Sequence, residues 1–391
     1  MKILLLTPYL PYPLYSGGQI RSYNLLKNLA KKHEITLFSF IRSEKEKQYL
    51  TNLQPFCQNI KIFLRRPAWD LRNLILALLT PYPFLVSIYL SRRFRQAITV
   101  ELKAGGYDLI HAETFYIMQN LPKTMVPTLL VEQTIEYLVY LRFVEKFRWF
   151  ILKPLLYLDV LKIKLWEKFF WRKASYLVAM SETDKQIMEQ SVKHKKVAVV
   201  ANGVDIHYFS QIKPQADKVV LFIGNFKWLP NKDAALFLVK EIWPKIRQKL
   251  TQTKLLIVGR NPTKKIMDLS GHDGVIVKGN IVDIRQALAQ ASVLLAPIRN
   301  GRGTKYKVLE AMASGLPVVT TRLGIEGIEA GDSVLTAETA SALANQTIRV
   351  LTDRVFAGRL VAKARKIVYL KYNWQVISRR LNTIYQNLGA K

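Results

Sequence analysis

The chain has 391 residues, half of them hydrophobic, which is enough for two domains with separate cores. It carries 59 Lys and Arg against 28 Asp and Glu, a formal charge of +31 spread along its length. Such a surface favours nucleic acid, anionic lipid or an anionic substrate. No RNA-binding signature, zinc-finger spacing or basic-region heptad accompanies the charge, so an anionic membrane surface is the expected partner and nucleic acid is not. A single cysteine, Cys57, excludes an intrachain disulfide framework and points to a reducing compartment. The opening MKILLLTPYLP has too short an apolar run for a secretion signal. Leu74 to Leu90 is uncharged, but Thr80-Pro81-Tyr82-Pro83 splits it. A spanning helix needs about 20 apolar residues, so none is expected.

In chain order, residues 1–7 read as a buried strand, followed by a Pro/Tyr-rich loop, Gly17-Gly18, a helix from about Ile20 to Lys32 and a strand at Ile35–Phe40. That alternation opens a doubly wound sheet, whose carboxyl-edge loops are where ligands bind. No G-x-G-x-x-G follows the first strand, which disfavours a nicotinamide site. Ile60–Leu64 is a further strand. Trp69 to Ile98 is apolar with Arg92, Arg93 and Arg95 beside it, and reads as helices on the sheet. Tyr107–Glu113 is a strand running into its loop. A His or Glu at a strand's carboxyl end can assist proton transfer or bind sugar hydroxyls; for His111 a buried, hydrogen-bonded strand end is the other reading. Thr128–Glu132 is another strand, with Glu132 and Glu136 at its carboxyl end; a solvated helix start is the competing reading for both.

Tyr140 to Tyr176 holds eleven aromatics, nine Lys or Arg and three Asp or Glu. Amphipathic helices of that composition suit a membrane interface; a pair of core-packing helices with snorkelling cations is the alternative. Tyr176–Met180 follows as a strand, Ser181 to Asp184 as the cap of the next helix, and Lys196–Val200 as the last strand of this half.

The second half repeats the alternation, with strands at Lys218–Gly224, Leu255–Gly259, Val275–Lys278, Ser292–Pro297 and Val318–Thr321. Between the last two lies Gly301-Arg302-Gly303-Thr304, then a helix from Lys305 to Ser314 with Thr304 as N-cap and Gly315 as its left-handed stop. A helix opening after a glycine loop offers free N–H groups and a positive dipole end to an anion. Lys305 and Lys307 in its first turn make sense beneath a dianion, since the dipole alone prefers acids there. Glu310 is placed to accept hydrogen bonds from sugar hydroxyls. An ordinary strand–helix unit with solvated lysines is the competing reading.

From Gly301 to Val319 the pattern G-x-G-T-K-x-K-V-L-E-A-M-A-S-G-L-P-V-V resembles the donor-binding segment of the family 4 retaining glycosyltransferases (glycosyl transferases group 1). The resemblance extends over nearly the whole chain and is strongest from Val219 to Gly331. It implies an α/β protein with the GT-B fold, two doubly wound Rossmann-like domains facing a central cleft. Residues 1–200 would form the acceptor-binding domain and 201–215 the linker. Residues 216–372 would bind the nucleotide-sugar donor, and the last helix, 373–391, would cross back to the first domain.

The resemblance assigns the donor to Gly17 and Gly18, Asn225, Lys232, Gly303, Thr304, Lys305 and Glu310, with Glu310 on the ribose. It places His111 and Glu113, at a D-x-x-H-x-H-like segment, as catalytic. Two positions depart from the pattern: the first of the family's paired glutamates falls at Arg302, and its diphosphate-binding arginine at Asn225. The implied activity is transfer of a sugar from a nucleotide diphosphate sugar to a glycan or lipid-linked acceptor, in cell-envelope or exopolysaccharide biosynthesis. The protein would be cytoplasmic and peripheral at the inner face of the plasma membrane. No cofactor is expected beyond the nucleotide sugar as co-substrate, and no metal, since no Asp-x-Asp pair is present. A nucleotide-sugar epimerase of the same fold and a non-catalytic nucleotide-sugar-binding protein are the alternatives.

Overall fold

A computed structural model describes residues 1–212, 218–301 and 305–389. They divide into two compact units, Met1–Ala201 with Ile377–Lys391, and Asn202–Val376.

The first unit is built on seven strands, β1 (Lys2–Thr7), β2 (Glu34–Ile41), β3 (Asn59–Leu64), β4 (Leu109–Glu113), β5 (Thr128–Val131), β6 (Tyr176–Ala179) and β7 (Val197–Val199). They lie in the order β3-β2-β1-β4-β5-β6-β7. Every pairing is parallel, with Leu5 of β1 opposite both Leu37 and His111. Runs such as ILLLT in β1 are apolar on both faces because helices cover both faces of a parallel sheet. On one face Phe40 stacks on Phe94 at 4.4 Å. Nearby Trp171 is wholly buried and donates its indole N–H to Glu132. The last helix, Trp374–Gly389, brings Asn382 to His33 at 2.6 Å and buries Leu381 and Tyr385.

The second unit holds β8 (Val219–Asn225), β9 (Lys254–Arg260), β10 (Val275–Gly279), β11 (Val293–Ala296), β12 (Val318–Thr320) and β13 (Leu335–Thr336), ordered β10-β9-β8-β11-β12-β13 and again all parallel. The edge strand β13 is two residues long, too short to leave a hydrophobic period in the sequence.

In each sheet the winding reverses once, between β1 and β4 and between β8 and β11. The loops that leave these strands part there, which opens a crevice at the carboxyl edge. Two helix starts differ from expectation. The first helix runs Gly17–Leu29, not from Ile20, because Ser16 accepts the Gln19 N–H and caps it. Gly17 and Gly18 therefore form its first turn rather than a loop. The helix Tyr306–Ser314 has Lys305, not Thr304, at its N-cap position, with no side-chain cap bond; Thr304 lies outside the described residues. Gly315 closes that helix in the left-handed conformation, φ 76°. Among the described residues no helix is long and apolar enough to cross a membrane.

Candidate active site

Both groups of residues singled out in the sequence fall at these reversal points. In the second unit β8 ends at Gly224-Asn225 and leads into the helix Leu229–Phe237, while β11 leads toward the helix Tyr306–Ser314. The two loops are tied together: Arg299 pairs with Asp233 at 2.8 Å, and the Asn300 amide donates to the same carboxylate at 3.1 Å. Gly301 takes φ +98° and an added Cβ would lie 3.1 Å from Pro230, so a side chain there would be strained twice over.

Asn225, at the family arginine's place, is occupied locally. Its side-chain oxygen accepts from the Lys227 N–H at 3.1 Å and the Asn261 amide at 3.2 Å, and its carbonyl from the Asn231 amide at 2.9 Å. These bonds fix the loop through the Asn225 oxygens; a phosphate would be met by its side-chain N–H groups, which donate. Lys232 lies half-buried in the first turns of the 229–237 helix. Lys305 stands at the N-cap of the 306–314 helix and Glu310 one turn further on. Gly303 and Thr304 lie outside the described residues, as does Arg302.

The sequence pairs Lys307 with Lys305 as a cation of the first turn but leaves its surroundings illegible. Its amine donates to Asn231 Oδ1 at 2.8 Å and lies 4.8 Å from the Phe222 ring centre. Burial pulls the Lys307 amine down to about 7, helped by Lys305 and opposed by Glu310. Burial likewise pushes the Glu310 carboxyl up to about 7, against Lys307. Charge-bearing groups whose ionisation is opposed by burial at a sheet's reversal point make this a candidate functional site.

In the first unit His111 and Glu113 are 2% and 1% exposed. They belong to one buried chain of contacts. Tyr385 hydroxyl meets His111 Nδ1 at 2.5 Å, and His111 Nε2 faces Glu113 at 3.3 Å without the alignment of a hydrogen bond. The Gln133 amide donates to Glu113 at 2.6 Å, and the Tyr9 hydroxyl donates to Gln133 at 2.7 Å. Burial alone would raise the Glu113 carboxyl; His111, Arg21 and Gln133 outweigh it and hold it below its ordinary value. The chain ends at Gly18, where an added Cβ would lie 2.0 Å from the Tyr9 hydroxyl and 2.5 Å from Gln133 Oε1. A cavity of about 10 Å³ beside Ser22, His111, Glu113 and Tyr385 has room for about one water molecule and not for a sugar. Sequence reasoning missed Tyr385, Gln133, Tyr9 and Arg21, since no local spacing links them. Among the described residues no group of three His, Cys, Asp or Glu is placed to hold a metal ion.

The model for Glycosyltransferase Family 4 matches residues 15–208, and that for Glycosyl transferases group 1 matches residues 217–353. The phosphatidyl-myo-inositol mannosyltransferase of Mycolicibacterium smegmatis is 27% identical over 204 residues, 49% of this chain and 52% of that protein. The N-acetyl-alpha-D-glucosaminyl L-malate synthase of Bacillus anthracis is 27% identical over 214 residues, 50% of this chain and 55% of that protein. The chain thus aligns with about half the length of these curated relatives. The Anabaena protein Alr3699/HepE, solved with UDP and glucose, superposes with a TM-score of 0.61 at 16% identity, covering 99% of this chain and all of that one, which shows a shared GT-B fold. None of these descriptions is of an epimerase. Matched in both halves, with the donor-segment pattern at the reversal point of its second sheet, the chain belongs to the family 4 glycosyltransferases, glycosyl transferases group 1.

Proposed function

We propose that the chain transfers a sugar from a nucleotide diphosphate sugar to a lipid-linked or glycan acceptor, with retention of configuration as the family resemblance implies. One observation carries this reading: Lys305, Lys307 and Glu310 converge at the β8/β11 reversal point, where burial works against the charges of Lys307 and Glu310. The diphosphate leaving group departs as an anion. Cations fixed beside it before reaction stabilise that charge with no reorganisation, and Lys232 adds to them from the neighbouring helix. Glu310 takes the ribose, Gly303 and Thr304 the phosphate side, and Gly17 and Gly18 the donor's other flank. His111 and Glu113 act near the acceptor by fixing the Tyr9–Gln133 pair rather than by touching it. A thermal-shift screen of UDP-, GDP- and ADP-sugars tests the donor reading, since a ligand of the folded state alone raises the melting temperature. No shift with any donor overturns it.

The acceptor side rests on a surface. The relatives name a phospholipid acceptor in one case and a small hydroxy acid in the other. Here the 153–173 helix grips the elbow between two upstream helices. Asp159 accepts the Phe84 N–H at 2.8 Å, Lys162 donates to the Ala77 and Thr80 carbonyls, and Trp166 donates to Pro81 at 2.9 Å. Around that grip Trp69, Leu79, Trp149, Phe150 and Ile151 are each at least 67% exposed, interleaved with arginines and lysines. Apolar rings among cations fit an anionic bilayer. A cytoplasmic protein peripheral at the inner leaflet, building cell-envelope or exopolysaccharide glycans on a lipid carrier, follows from that fit. In sedimentation the protein should follow vesicles containing phosphatidylglycerol and remain free of pure phosphatidylcholine; equal partitioning rejects the electrostatic docking.

A further inference from the structure

Lys307 is an unusual lysine for its position. Its stem lies half-buried in the first turn of the 306–314 helix, and its amine rests on the face of Phe222. Among the described residues the one hydrogen bond it makes is to the Asn231 side-chain oxygen. That oxygen is fixed: the Asn231 amide nitrogen is committed to the Asn225 carbonyl, and its Cβ would lie 3.1 Å from any Cβ built on Gly224. Among the described residues no carboxylate forms an ion pair with Lys307. The charged groups facing it there are Lys305 and Glu310, both on its own helix. From the 229–237 helix it meets only the neutral Asn231, and from β8 only the Phe222 ring. A ring face and one amide oxygen compensate an ammonium only partly once water is removed. The slot therefore holds a cation well only when an anion joins it.

We propose that Lys307 is a diphosphate-responsive charge: its amine, lodged between Phe222 and Asn231 without a carboxylate partner among the described residues, takes up a proton from solvent when a nucleoside diphosphate settles against the first turn of the 306–314 helix. The proposal rests on the donor reading above and adds to it a residue and a proton. It also supplies the positive charge that the chain lacks at Asn225, from a different element. The proton balance is simple: free amine, water-borne proton and diphosphate give ammonium paired with diphosphate, and release of the nucleotide reverses it.

Titration calorimetry of the full chain with UDP, GDP and ADP above about pH 7.5, where the nucleotide's own phosphate is ionised, reads this directly. In two buffers of different ionisation enthalpy, the wild type should show net proton uptake with the nucleotide it binds, and affinity should fall with rising pH, by up to about tenfold per pH unit. Lys307→Arg, always charged, should bind with no uptake and a flat profile. Lys307→Met should bind roughly tenfold more weakly, also without uptake. If no nucleoside diphosphate binds the wild type, the donor reading itself fails. If one binds with no uptake and Lys307→Arg shares the wild-type pH profile, the donor reading stands and the role of Lys307 is overturned. Should Lys307→Met fail to fold, the comparison of wild type with Lys307→Arg decides alone.

Discussion

At the carboxyl edge of the first sheet, Glu113 is met by Gln133, His111 and the nearby charge of Arg21, and His111 by Tyr385. At the carboxyl edge of the second, among the described residues, Lys307 has one amide oxygen and a ring, and Glu310 has the opposing field of Lys307 against burial. The same reversal of winding positions both groups, yet one spends its charges on itself and the other leaves them open. The burial of Glu113 is offset by internal partners; on the donor reading proposed above, the burial of Lys307 and Glu310 is completed by a ligand. A ligand-binding edge and a self-satisfied edge are thus distinguishable by where the counter-charges come from, not by which residue types are present.

Exchange of one carboxylate at each edge is the sharpest test of this contrast. Glu310→Ala removes hydrogen bonds to an ionised acceptor, a loss of about 3 kcal/mol for a pair of them, so transfer should fall roughly a hundredfold with little change in melting temperature. Glu113→Gln should do the reverse, lowering the melting temperature while leaving donor affinity intact. Initial rates, donor titrations and thermal melts of the two variants suffice. If Glu113→Gln abolishes transfer at an unchanged melting temperature, the first edge does chemistry of its own and the contrast breaks.

A smaller effect is expected at Gly18. The Tyr9 hydroxyl already occupies the place of a Cβ there. Gly18→Ala must push aside the ring tip or the Gln133 amide, with a loss of about 2–3 kcal/mol of stability. Tyr9→Phe removes the obstructing oxygen, so the double variant should recover part of the loss, a coupling that a thermodynamic cycle measures. Additive losses would mean that the glycine serves the incoming donor rather than the Tyr9–Gln133 pair.

The architecture was legible because its signals are local. Apolar runs such as Ile3–Leu6 mark buried parallel strands, Gly315 and Pro317 mark a helix end, and the spacing from Gly301 to Glu310 marks a strand–loop–helix unit. The site was legible only in part. Asn225 could be placed at its loop from sequence, but not that two N–H donors engage its oxygen. Lys307 could be counted as a cation, but its partner Asn231 lies 76 positions away. Tyr385 reaches His111 across 274 positions. Long-range pairings of this kind leave no periodicity behind, and one sequence cannot show which residues vary together.

The first unit also holds one acid that its neighbours do not satisfy, and that exception yields the smallest expected effect. Glu132 is 1% exposed; one oxygen accepts from Trp171 at 2.9 Å, and among the described residues the other has no well-aligned donor, the Phe115 N–H acting only weakly on the carboxyl. Glu167 beside it accepts the Glu136 and Tyr137 N–H groups at 2.8 and 3.2 Å, and so caps a helix whose own N-cap residue, Ile135, cannot. Burial first, then repulsion from Glu167, raises the Glu132 carboxyl well above its ordinary value, with Trp171 opposing. Burial pushes the Glu167 carboxyl well above its ordinary value too, with the two N–H donors opposing, so the proton belongs to the Glu132–Glu167 pair. The folded state then keeps a proton that the unfolded chain sheds above about pH 4.3, so stability is present below that value and is lost as pH rises toward neutrality. Glu132→Gln weakens that dependence, because burial still acts on Glu167. The variant should match the wild type near pH 4 and exceed it by about 1 kcal/mol near neutrality, after allowance for an amide N–H with no partner. Melting curves of both proteins across that range should diverge steadily with pH; parallel curves would place the proton elsewhere and leave the first edge satisfied throughout.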